Sequence, residues 1–436
     1  MVGGMPDLEQ IAARAWLYGY PLVLMDTTRR VRTGHEAVNT FHHTRSFPDY
    51  TYTDVVMPNA DTLYSAAWLD LRAEPVVLTM PEMAGRYHMV PMLSGWTDVF
   101  FSPGSRTTGD HGGEYAICGP GFRGPLPDGL TRVDAPTALV SLGGRISTLG
   151  TRDYLAVHAL QDQLQLVPLS RYAPEAPAPV TVPDLPSTQD FSAPVDQVAR
   201  LDGAAFFGRL AWLLGDNPPR PEDREAVAWL ERLGVVSQPA DEPLQPRDPE
   251  VAEAIAGAPS AGQTLLRQAG ERADAERANG WTIRRGLGDY GTDYGRRAQV
   301  ALTTLGANLD ADAVYPRATV DEQGHPLSGG HRYLLRFAPG DLPPVRGFWS
   351  LTLYNDKQYF VDNELDRYAI SDRDDLVPSM DGSVEILIQH DDPGENLRSN
   401  WLPAPTGSFN VILRAYWPEQ SILNGAWAPP PLVRMS

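Results

Sequence analysis

The segment MPNADTLYSAAWLD, residues 57–70, places four polar side chains of different chemistry beside a turn. They are Asn59, Asp61, Thr62 and Tyr64. The Pro-Asn pair indicates the turn, and the alternation of apolar and polar residues that follows predicts a half-buried strand. Because loops fixed at sheet ends often carry function, these residues are candidates for a functional site. The alternative is that Asn59 and Asp61 only cap the turn.

Acid/base catalysis is the chemistry that this set of residues could perform. Asp61 could act as a base, with His43 or Tyr64 as the acid, because imidazole and phenol groups exchange protons. Asp98 and Arg145 follow in the same half of the chain. Two carboxylates in different environments can divide the acid and base roles, and an arginine can clamp a substrate or stabilise an oxyanion. The alternative for His43 is a purely structural role.

Aromatic and polar residues in both halves of the chain are candidates for substrate binding. Besides Asn59 and Thr62, they are Trp96, Trp349, Tyr354, Arg367, Asn400 and Trp401. Aromatic rings beside charged groups are typical of a concave pocket for a small polar ligand. The tryptophans could instead be stacking platforms of a binding protein, or core anchors. A third alternative is that the motifs PNADT and NWLPAP only pack domains together.

Composition limits the classes of partner. The 436 residues carry a formal net charge of -19, which argues against nucleic acid and anionic membrane surfaces as partners. No segment has the pattern of a signal peptide or a membrane-spanning helix, so we expect a cytoplasmic protein. The single cysteine, Cys118, excludes an internal disulfide. A small-molecule substrate or ligand is the expected partner, and a homo-oligomer is left open.

Motifs for cofactors are missing from the sequence. The string GPGFRG at 119–124 matches G-x-G-x-x-G, but Pro120 and the following PLPDG are incompatible with the helix that a dinucleotide site needs. No phosphate-binding loop, G-x-S-x-G elbow or H-E-x-x-H motif occurs, and the histidines and the single cysteine do not show metal-ligand spacing. We therefore predict that neither a metal nor a nucleotide cofactor is needed.

The hydrophobic pattern divides the chain into five segments. They are an N-terminal helix at 1–33, a β-sandwich domain at 34–172, a proline-rich linker at 173–194, a helical subdomain at 195–310 and a jelly-roll-like C-terminal β-sandwich domain at 311–436. Short apolar runs between Pro, Gly and Asp predict the β domains, and helical spacing predicts the helices. The predicted fold class is therefore multidomain and mainly β, with an α-helical insert joining an Ig-like and a jelly-roll-like sandwich.

Several long motifs resemble one bacterial family. They are PNADTLYSAAWLD, GWTDVF, RTTG, FWSLTLYN, NWLPAP and LRAYWP, with NGWTIRRGLGDYGTDYGRRA in the helical segment. This family joins domains of unknown function catalogued as 1254 (N-terminal) and 1214 (C-terminal), and the resemblance covers nearly the whole chain. It implies two β-sandwich domains with a helical insert between them, and it implies very little about chemistry.

The polar motifs in both β domains favour an enzyme over a scaffold. We predict a cofactor-independent enzyme of the hydrolase, lyase or isomerase type that acts on a small polar molecule in a cleft between the two β domains. Asp61 should face the C-terminal domain in that cleft, with Tyr64 and Asp98 nearby. The alternative is a non-catalytic protein that binds a carbohydrate or another small ligand, and the fold class alone does not separate the two.

Overall fold

Strands and helices alternate in blocks along the chain, as seen in a computed structural model that describes residues 7–53, 55–272 and 275–435. In this part of the chain there are four sheets, and most of their strand pairs are antiparallel. The helices lie mainly in the middle block. The prediction of a multidomain, β-rich chain with a helical region between β regions is therefore confirmed at this coarse level.

The N-terminal β region contains two sheets. Its elements are α1 Leu8–Thr33, β1 His42–His43, β2 Thr62–Asp70, β3 Val76–Met80, β4 His88–Met89, β5 Met92–Ser94, β6 Val99–Phe101, β7 Gly113–Cys118, β8 Thr131–Asp134, β9 Leu139–Ser147, α2 Tyr154–Gln161, β10 Gln165–Pro168 and α3 Leu169–Tyr172. One sheet has the order β1-β2-β9-β5-β6, with β4 also paired to β9. The other has the order β10-β3-β7-β8, and only its β7 and β8 run parallel.

Alternation along β2 explains where the first motif of the sequence lies. Successive side chains of a strand point to opposite faces. Leu63, Ala67 and Leu69 enter the core that the two N-terminal sheets share. Thr62 and Tyr64 therefore point to the other face of their sheet, away from that core. The polar half of the motif is thus available for contact with another part of the molecule.

Helices of the middle block surround α1. They are α4 Pro194–Ala199, α5 Gly203–Leu214, α6 Arg224–Arg232, α7 Pro249–Glu271 and α8 Tyr294–Thr304. Aspartates fix several of the helix starts, since Asp7, Asp202, Asp248 and Asp293 each accept a backbone N–H of the first turn. None of the helices in the described part of the chain combines the length and apolar character needed to cross a bilayer.

The C-terminal β region also contains two sheets. Its elements are β11 Glu276–Ala278, β12 Trp281–Ile283, β13 Ala313–Val314, β14 Arg317–Ala318, β15 Arg332–Phe337, β16 Val345–Asn355, β17 Ala369–Ser371, β18 Val384–Gln389, β19 Trp401–Pro403, β20 Phe409–Pro418, α9 Gln420–Leu423 and β21 Leu432–Met435. The sheets have the orders β11-β12-β14-β20-β16-β17, with β13 on β20, and β19-β18-β15-β21. Strands β11 and β12 precede α8 in the chain, so the segment at 195–310 supplies strands as well as helices.

The central strands of this region, β16 and β20, are buried on both faces. Trp349, Leu351, Leu413 and Ala415 belong to the core between the C-terminal sheets. The alternate residues form a second buried layer that faces the N-terminal β region. They are Phe348, Ser350, Thr352 and Tyr354 of β16, and Asn410, Ile412, Arg414 and Tyr416 of β20. We call the contact between this layer and the N-terminal β region the seam.

A pair of glycines in α7 tests the packing of the helices. A methyl group on Gly262 would lie 2.3 Å from Trp16 Cε3, and the Trp16 ring is itself stacked on Phe206. We expect Gly262→Ala to lower the free energy of unfolding by about 1–3 kcal/mol through overpacking. Gly257→Ala, on the same helix with nothing within 4 Å, should instead raise it by up to about 1 kcal/mol. Thermal and urea unfolding check both values, and equal effects would contradict this packing.

Candidate functional site

Asp61 lies at the seam, where it connects the two β regions. Its Oδ2 accepts hydrogen bonds from Ser350 Oγ at 2.7 Å and from the Tyr416 hydroxyl at 3.2 Å. Its Oδ1 accepts from Arg373 Nη2 at 3.0 Å, which completes an ion pair. The residue is only 1% exposed. The carboxylate is thus shared among three partners, all of them in the C-terminal β region.

The turn before Asp61 is held from both sides. Asn59 Oδ1 accepts the backbone N–H groups of Asp61 and Thr62 at 2.7 and 2.9 Å, so Asn59 caps the turn in the way that the alternative reading proposed. Its Nδ2 donates to the Tyr416 hydroxyl at 2.9 Å. The Tyr354 hydroxyl donates to the Pro58 carbonyl at 2.7 Å. The Asp61 side chain takes no part in the cap and is free to face the seam.

A second set of polar side chains lies on the same side of β2 and β9. We call Tyr64, Arg145, Asn308, Tyr315 and Arg414 the Arg145 cluster. Tyr64 and Arg145 are directly opposite in the strand register, and the guanidinium carbon lies 5.0 Å from the centre of the Tyr64 ring. Arg145 donates to Asn308 Oδ1, and Asn308 donates to the Tyr315 hydroxyl at 2.9 Å. Arg414 lies 5.3 Å from the Tyr315 ring centre.

Burial within the Arg145 cluster is uneven. Asn308 and Arg414 are buried, whereas Tyr64, Arg145 and Tyr315 keep partial exposure to solvent. Burial raises the pKa of Tyr315. It also places the pKa of the adjacent Tyr416 well above the usual range, with the nearby Asp61 charge acting in the same direction. At neutral pH these two phenols are therefore hydrogen-bond donors, and solvent reaches the cluster at Tyr64, Arg145 and Tyr315.

A cleft of 610 Å³ opens between the two β regions beside Asp61. Asp61 and Arg373 lie in its wall. The rest of the wall comes chiefly from residues 46–50, 148–152 and 365–369. Carboxylates and guanidinium groups both border this space, so a small polar molecule would find donors and acceptors there.

Asp98 lies at the contact between the N-terminal β region and the helices of the middle block. It is within 3.3 Å of Arg220 Nη1 and 3.7 Å of Arg297 Nε, and it accepts the Tyr290 backbone N–H at 3.2 Å. Burial raises the pKa of Asp98. These partners belong to the middle block, so Asp98 joins the N-terminal β region to the helices and does not share the partners of Asp61. The structure does not bring the two expected carboxylates together.

His43 lies on the far side of β2 from Tyr64. It is opposite Ser65 in the strand register, and its Nδ1 is 2.8 Å from Ser65 Oγ. Ser65 and Tyr64 are consecutive on the strand, so their side chains point to opposite faces. Burial lowers the pKa of His43, and the charge of Arg45 lowers it further.

The three tryptophans expected to bind substrate are buried. Trp96, Trp349 and Trp401 are 0%, 2% and 4% exposed. The indole N–H of Trp96 donates to the Pro218 carbonyl, and that of Trp401 donates to the Gln389 carbonyl. None of the three offers an open ring face on which a sugar could stack.

Arg367 and Asn400 hold the backbone of the C-terminal β region. Arg367 Nη1 donates to the carbonyls of Arg398 and Trp401, each at 2.8 Å. Asn400 Nδ2 donates to the carbonyls of Val377 and Glu385. Arg367 also borders the cleft, so it is the member of this pair that a molecule in the cleft could reach.

Several residues of the site were absent from the sequence-based set. They are Ser350, Arg373, Asn308, Tyr315, Arg414 and Tyr416. Alternation in FWSLTLYN and LRAYWP gave a signal for Ser350, Arg414 and Tyr416, because each falls on the polar face of its strand. Arg373 gave none, because it stands among aspartates that resemble a solvated loop.

Metal ligands do not gather at this site. Within the part of the chain that the structure describes, no group of three or more His, Cys, Asp or Glu side chains is placed to hold a metal ion. The donors at the seam are guanidinium, phenol and amide groups, which suit an anionic or polar organic molecule better than a cation.

Two β regions, a helical block between them and a polar seam define the class of protein, and family comparison agrees. The family described as Protein of unknown function (DUF1254) matches residues 38–168, and Protein of unknown function (DUF1214) matches residues 312–420. The chain therefore belongs to the family that joins these two domains in this order, as the sequence motifs predicted. A comparison with curated proteins gives no match.

The fold recurs in a solved structure. The crystal structure of the VPA0106 protein from Vibrio parahaemolyticus is 24% identical, with a TM-score of 0.78 over 99% of this chain and 100% of that chain. The crystal structure of an uncharacterised protein from Burkholderia cenocepacia is 13% identical, with a TM-score of 0.44 over 98% of this chain and 94% of that chain. The first of these shows that the whole architecture recurs.

Replacing Asp61 tests how strongly its ion pair holds the seam. Asp61→Asn removes the charge that neutralises Arg373, and breaking a buried pair in this way should lower the free energy of unfolding by about 3 kcal/mol. Asp356→Asn, which changes an exposed carboxylate of the same β region, should change it by less than about 0.5 kcal/mol. Urea unfolding of the two variants measures the difference, and similar values would refute the assigned strength of the pair.

The pKa of His43 provides a test on the opposite face of the sheet. Burial and Arg45 disfavour the imidazolium, so NMR titration should give a value below the ordinary value of about 6.5. Because the unfolded chain then binds the proton more readily, His43 should lower stability as the pH falls below about 6.5. Arg45→Ala should move the His43 pKa back upward. A value at or above about 6.5 in the unchanged protein would contradict this environment.

Proposed function

We propose that the protein is a cofactor-independent enzyme that performs acid/base chemistry on a small polar molecule between its two β regions. One observation carries the proposal: Tyr64 and Arg145 face each other at the seam and both keep contact with solvent, while the groups behind them are buried. A proton-transfer group beside a fixed cation is a common arrangement in sites of this chemistry.

Each residue of the Arg145 cluster has a role in this proposal. Arg145 holds an oxygen of the substrate and stabilises negative charge that develops there during reaction. Tyr64 gives or takes the proton at the reacting atom. Asn308 orients the Arg145 guanidinium, and Tyr315 donates a further hydrogen bond. Hydrolysis, elimination and isomerisation all need these two functions, so they remain the proposed reaction classes.

Asp61 has a positioning role in this proposal. The sequence suggested it as the base, but its oxygens already accept from Ser350, Tyr416 and Arg373. Asp61→Asn separates the two roles. If Asp61 is a positioning residue, the variant protein should be less stable, and its activity should fall only to the extent that the seam is disrupted. If Asp61 is the catalytic base, the variant protein should lose turnover even where the fold is intact.

The engagement of Asp61 also favours a second candidate, a non-catalytic protein that binds a small ligand. With that carboxylate held by Arg373, proton transfer would depend on a phenol alone. The carbohydrate version of this candidate has less support, because Trp96, Trp349 and Trp401 are buried.

The sandwich arrangement of the sheets and the location of the protein in the cell are also proposals. We propose that each β region is a sandwich, the C-terminal one jelly-roll-like, as expected from the strand pattern. The core of each region supports this, because residues of both of its sheets contribute to one cluster. The cytoplasmic location expected from the sequence remains a prediction.

Replacing Tyr64 tests the enzyme. Purified protein is incubated with a bacterial metabolite extract, and the change in each compound is followed by mass spectrometry. Wild type should convert at least one small polar compound. Tyr64→Phe should slow that conversion at least 100-fold, because proton transfer by a positioned group contributes about 100-fold or more.

Tyr172→Phe is the matched control, because its hydroxyl donates to Glu114, outside the seam residues, and its loss should leave conversion unchanged. A Tyr64→Phe variant as active as wild type would overturn the assigned role. A compound that the protein retains without converting it would favour the binding candidate.

A further inference from the structure

Two arginines at the seam have no acidic partner. Among the described residues, no carboxylate lies within the 4.0 Å of an ion pair from Arg145 or Arg414. The Nε of each is buried and has no hydrogen-bond partner. Other arginines at the seam are neutralised, since Arg373 pairs with Asp61 at 3.0 Å and Arg106 Nε lies 2.6 Å from Asp312. Arg317 and Arg367 also lack an acidic partner, but they donate to Asn410 Oδ1 and to backbone carbonyls. Among the described residues, Arg145 and Arg414 are the arginines that combine this lack with a buried Nε that has no hydrogen-bond partner.

The rest of the molecule shows how it normally treats a buried arginine. In α1, Arg29 and Arg30 share Asp26, each at 2.7 Å. Removing a cation from water is costly, and a nearby carboxylate offsets much of that cost. Arg145 and Arg414 have only neutral acceptors. These are Asn308 Oδ1 for Arg145, and the Tyr354 hydroxyl with the Met57 and Pro58 carbonyls for Arg414.

Arg145 is partly exposed and has no ion-pair partner, so it leaves room for negative charge from outside the chain. The buried Arg414 feels the charge of Asp61 from beyond ion-pair distance. We propose that the Arg145 cluster binds the carboxylate group of a small organic acid. The inference rests on the proposed function for the location of the substrate, and it adds the chemical class. It identifies the missing counter-ion of Arg145 as part of the molecule on which the protein acts.

The donors around Arg145 match a carboxylate. Its two oxygens accept up to about four hydrogen bonds, and a guanidinium fork fits them in a plane. Arg145 is partly exposed and can reach such a group, while Arg414 stays buried behind the Tyr315 ring and contributes charge. The phenols of Tyr64 and Tyr315 supply neutral donors. A dianionic phosphate would need two cations that it can reach. Of Arg145 and Arg414 only Arg145 is partly exposed, so a carboxylate with a single charge fits better.

The proposal is tested by comparing the affinities of small organic acids with those of their amides. Binding of acetate, propionate and benzoate is measured by calorimetry at constant ionic strength, beside acetamide, propionamide and benzamide. At least one acid should bind wild type at least tenfold more tightly than its amide, which has the same shape without the charge. Inorganic phosphate is measured as the competing anion.

Variants assign the binding to Arg145. Arg145→Gln should weaken binding of that acid at least tenfold, and Arg145→Lys should restore only part of it, because lysine keeps the charge without the fork. Arg346→Gln is the control, since this arginine of β16 is 65% exposed, and it should bind the acid as wild type does. If Arg145→Gln fails to fold, Tyr315→Phe removes one donor and should weaken binding several-fold.

The outcomes separate this inference from the proposed function. Equal affinity for acids and amides, an Arg145→Gln variant that binds the acid as wild type does, or tighter binding of phosphate would overturn the carboxylate site. If the protein converts an uncharged compound and this conversion depends on Tyr64, the proposed enzyme is supported and the carboxylate site is refuted. If the protein binds an acid through Arg145 but converts no compound, the carboxylate site is supported and the proposed enzyme is refuted.

Discussion

The shared carboxylate of Asp61 is the interaction on which the arrangement of the two β regions depends. It accepts from Ser350, Tyr416 and Arg373, and Tyr416 in turn accepts from Asn59 in the turn that positions Asp61. The loop, the strand that follows it and the C-terminal sheet are therefore one hydrogen-bonded unit. A polar contact of this kind depends on geometry, because each unsatisfied buried group costs free energy. It fixes one relative placement of the two regions, where an apolar interface would tolerate several.

Strand periodicity then decides which residues meet at the seam. In β16 and β20 one half of each alternation fills a core, and the other half faces across the seam. In β2 the residues Leu63, Ala67 and Leu69 fill a core, and Tyr64 points to the other face. The same two-residue repeat that stabilises each β region thus delivers tyrosines and arginines to their contact. A one-residue slip of β20 would exchange Arg414 and Tyr416 for apolar neighbours and would place charge in the core. The strand register that builds the core therefore also determines which residues form the candidate site.

The sequence predicted the order of the blocks and the importance of PNADT, because alternation and turn signals are local properties. It also pointed to Tyr64 and Arg145, which face each other at the seam. It grouped Asp98 with Asp61, yet Asp98 is bound to Arg220 and Arg297 of the middle block. Pairings between distant segments leave no local trace, and the same holds for Asn308, which reaches Arg145 only through the fold. The buried tryptophans show a related limit, since a large ring looks the same in a core and in a pocket.

Strands β11 and β12 decide where the C-terminal β region can be separated from the rest of the chain. They come from the middle block, yet β12 pairs with β14, and Trp281 and Ile283 fill the C-terminal core. The match to the C-terminal domain begins only at residue 312, so a gene fragment with that boundary would encode a sheet with an open edge and a hollow core. Recombination at this point would separate elements that fold together. A fragment that contains the complete C-terminal sheet and core must therefore begin before β11 at Glu276.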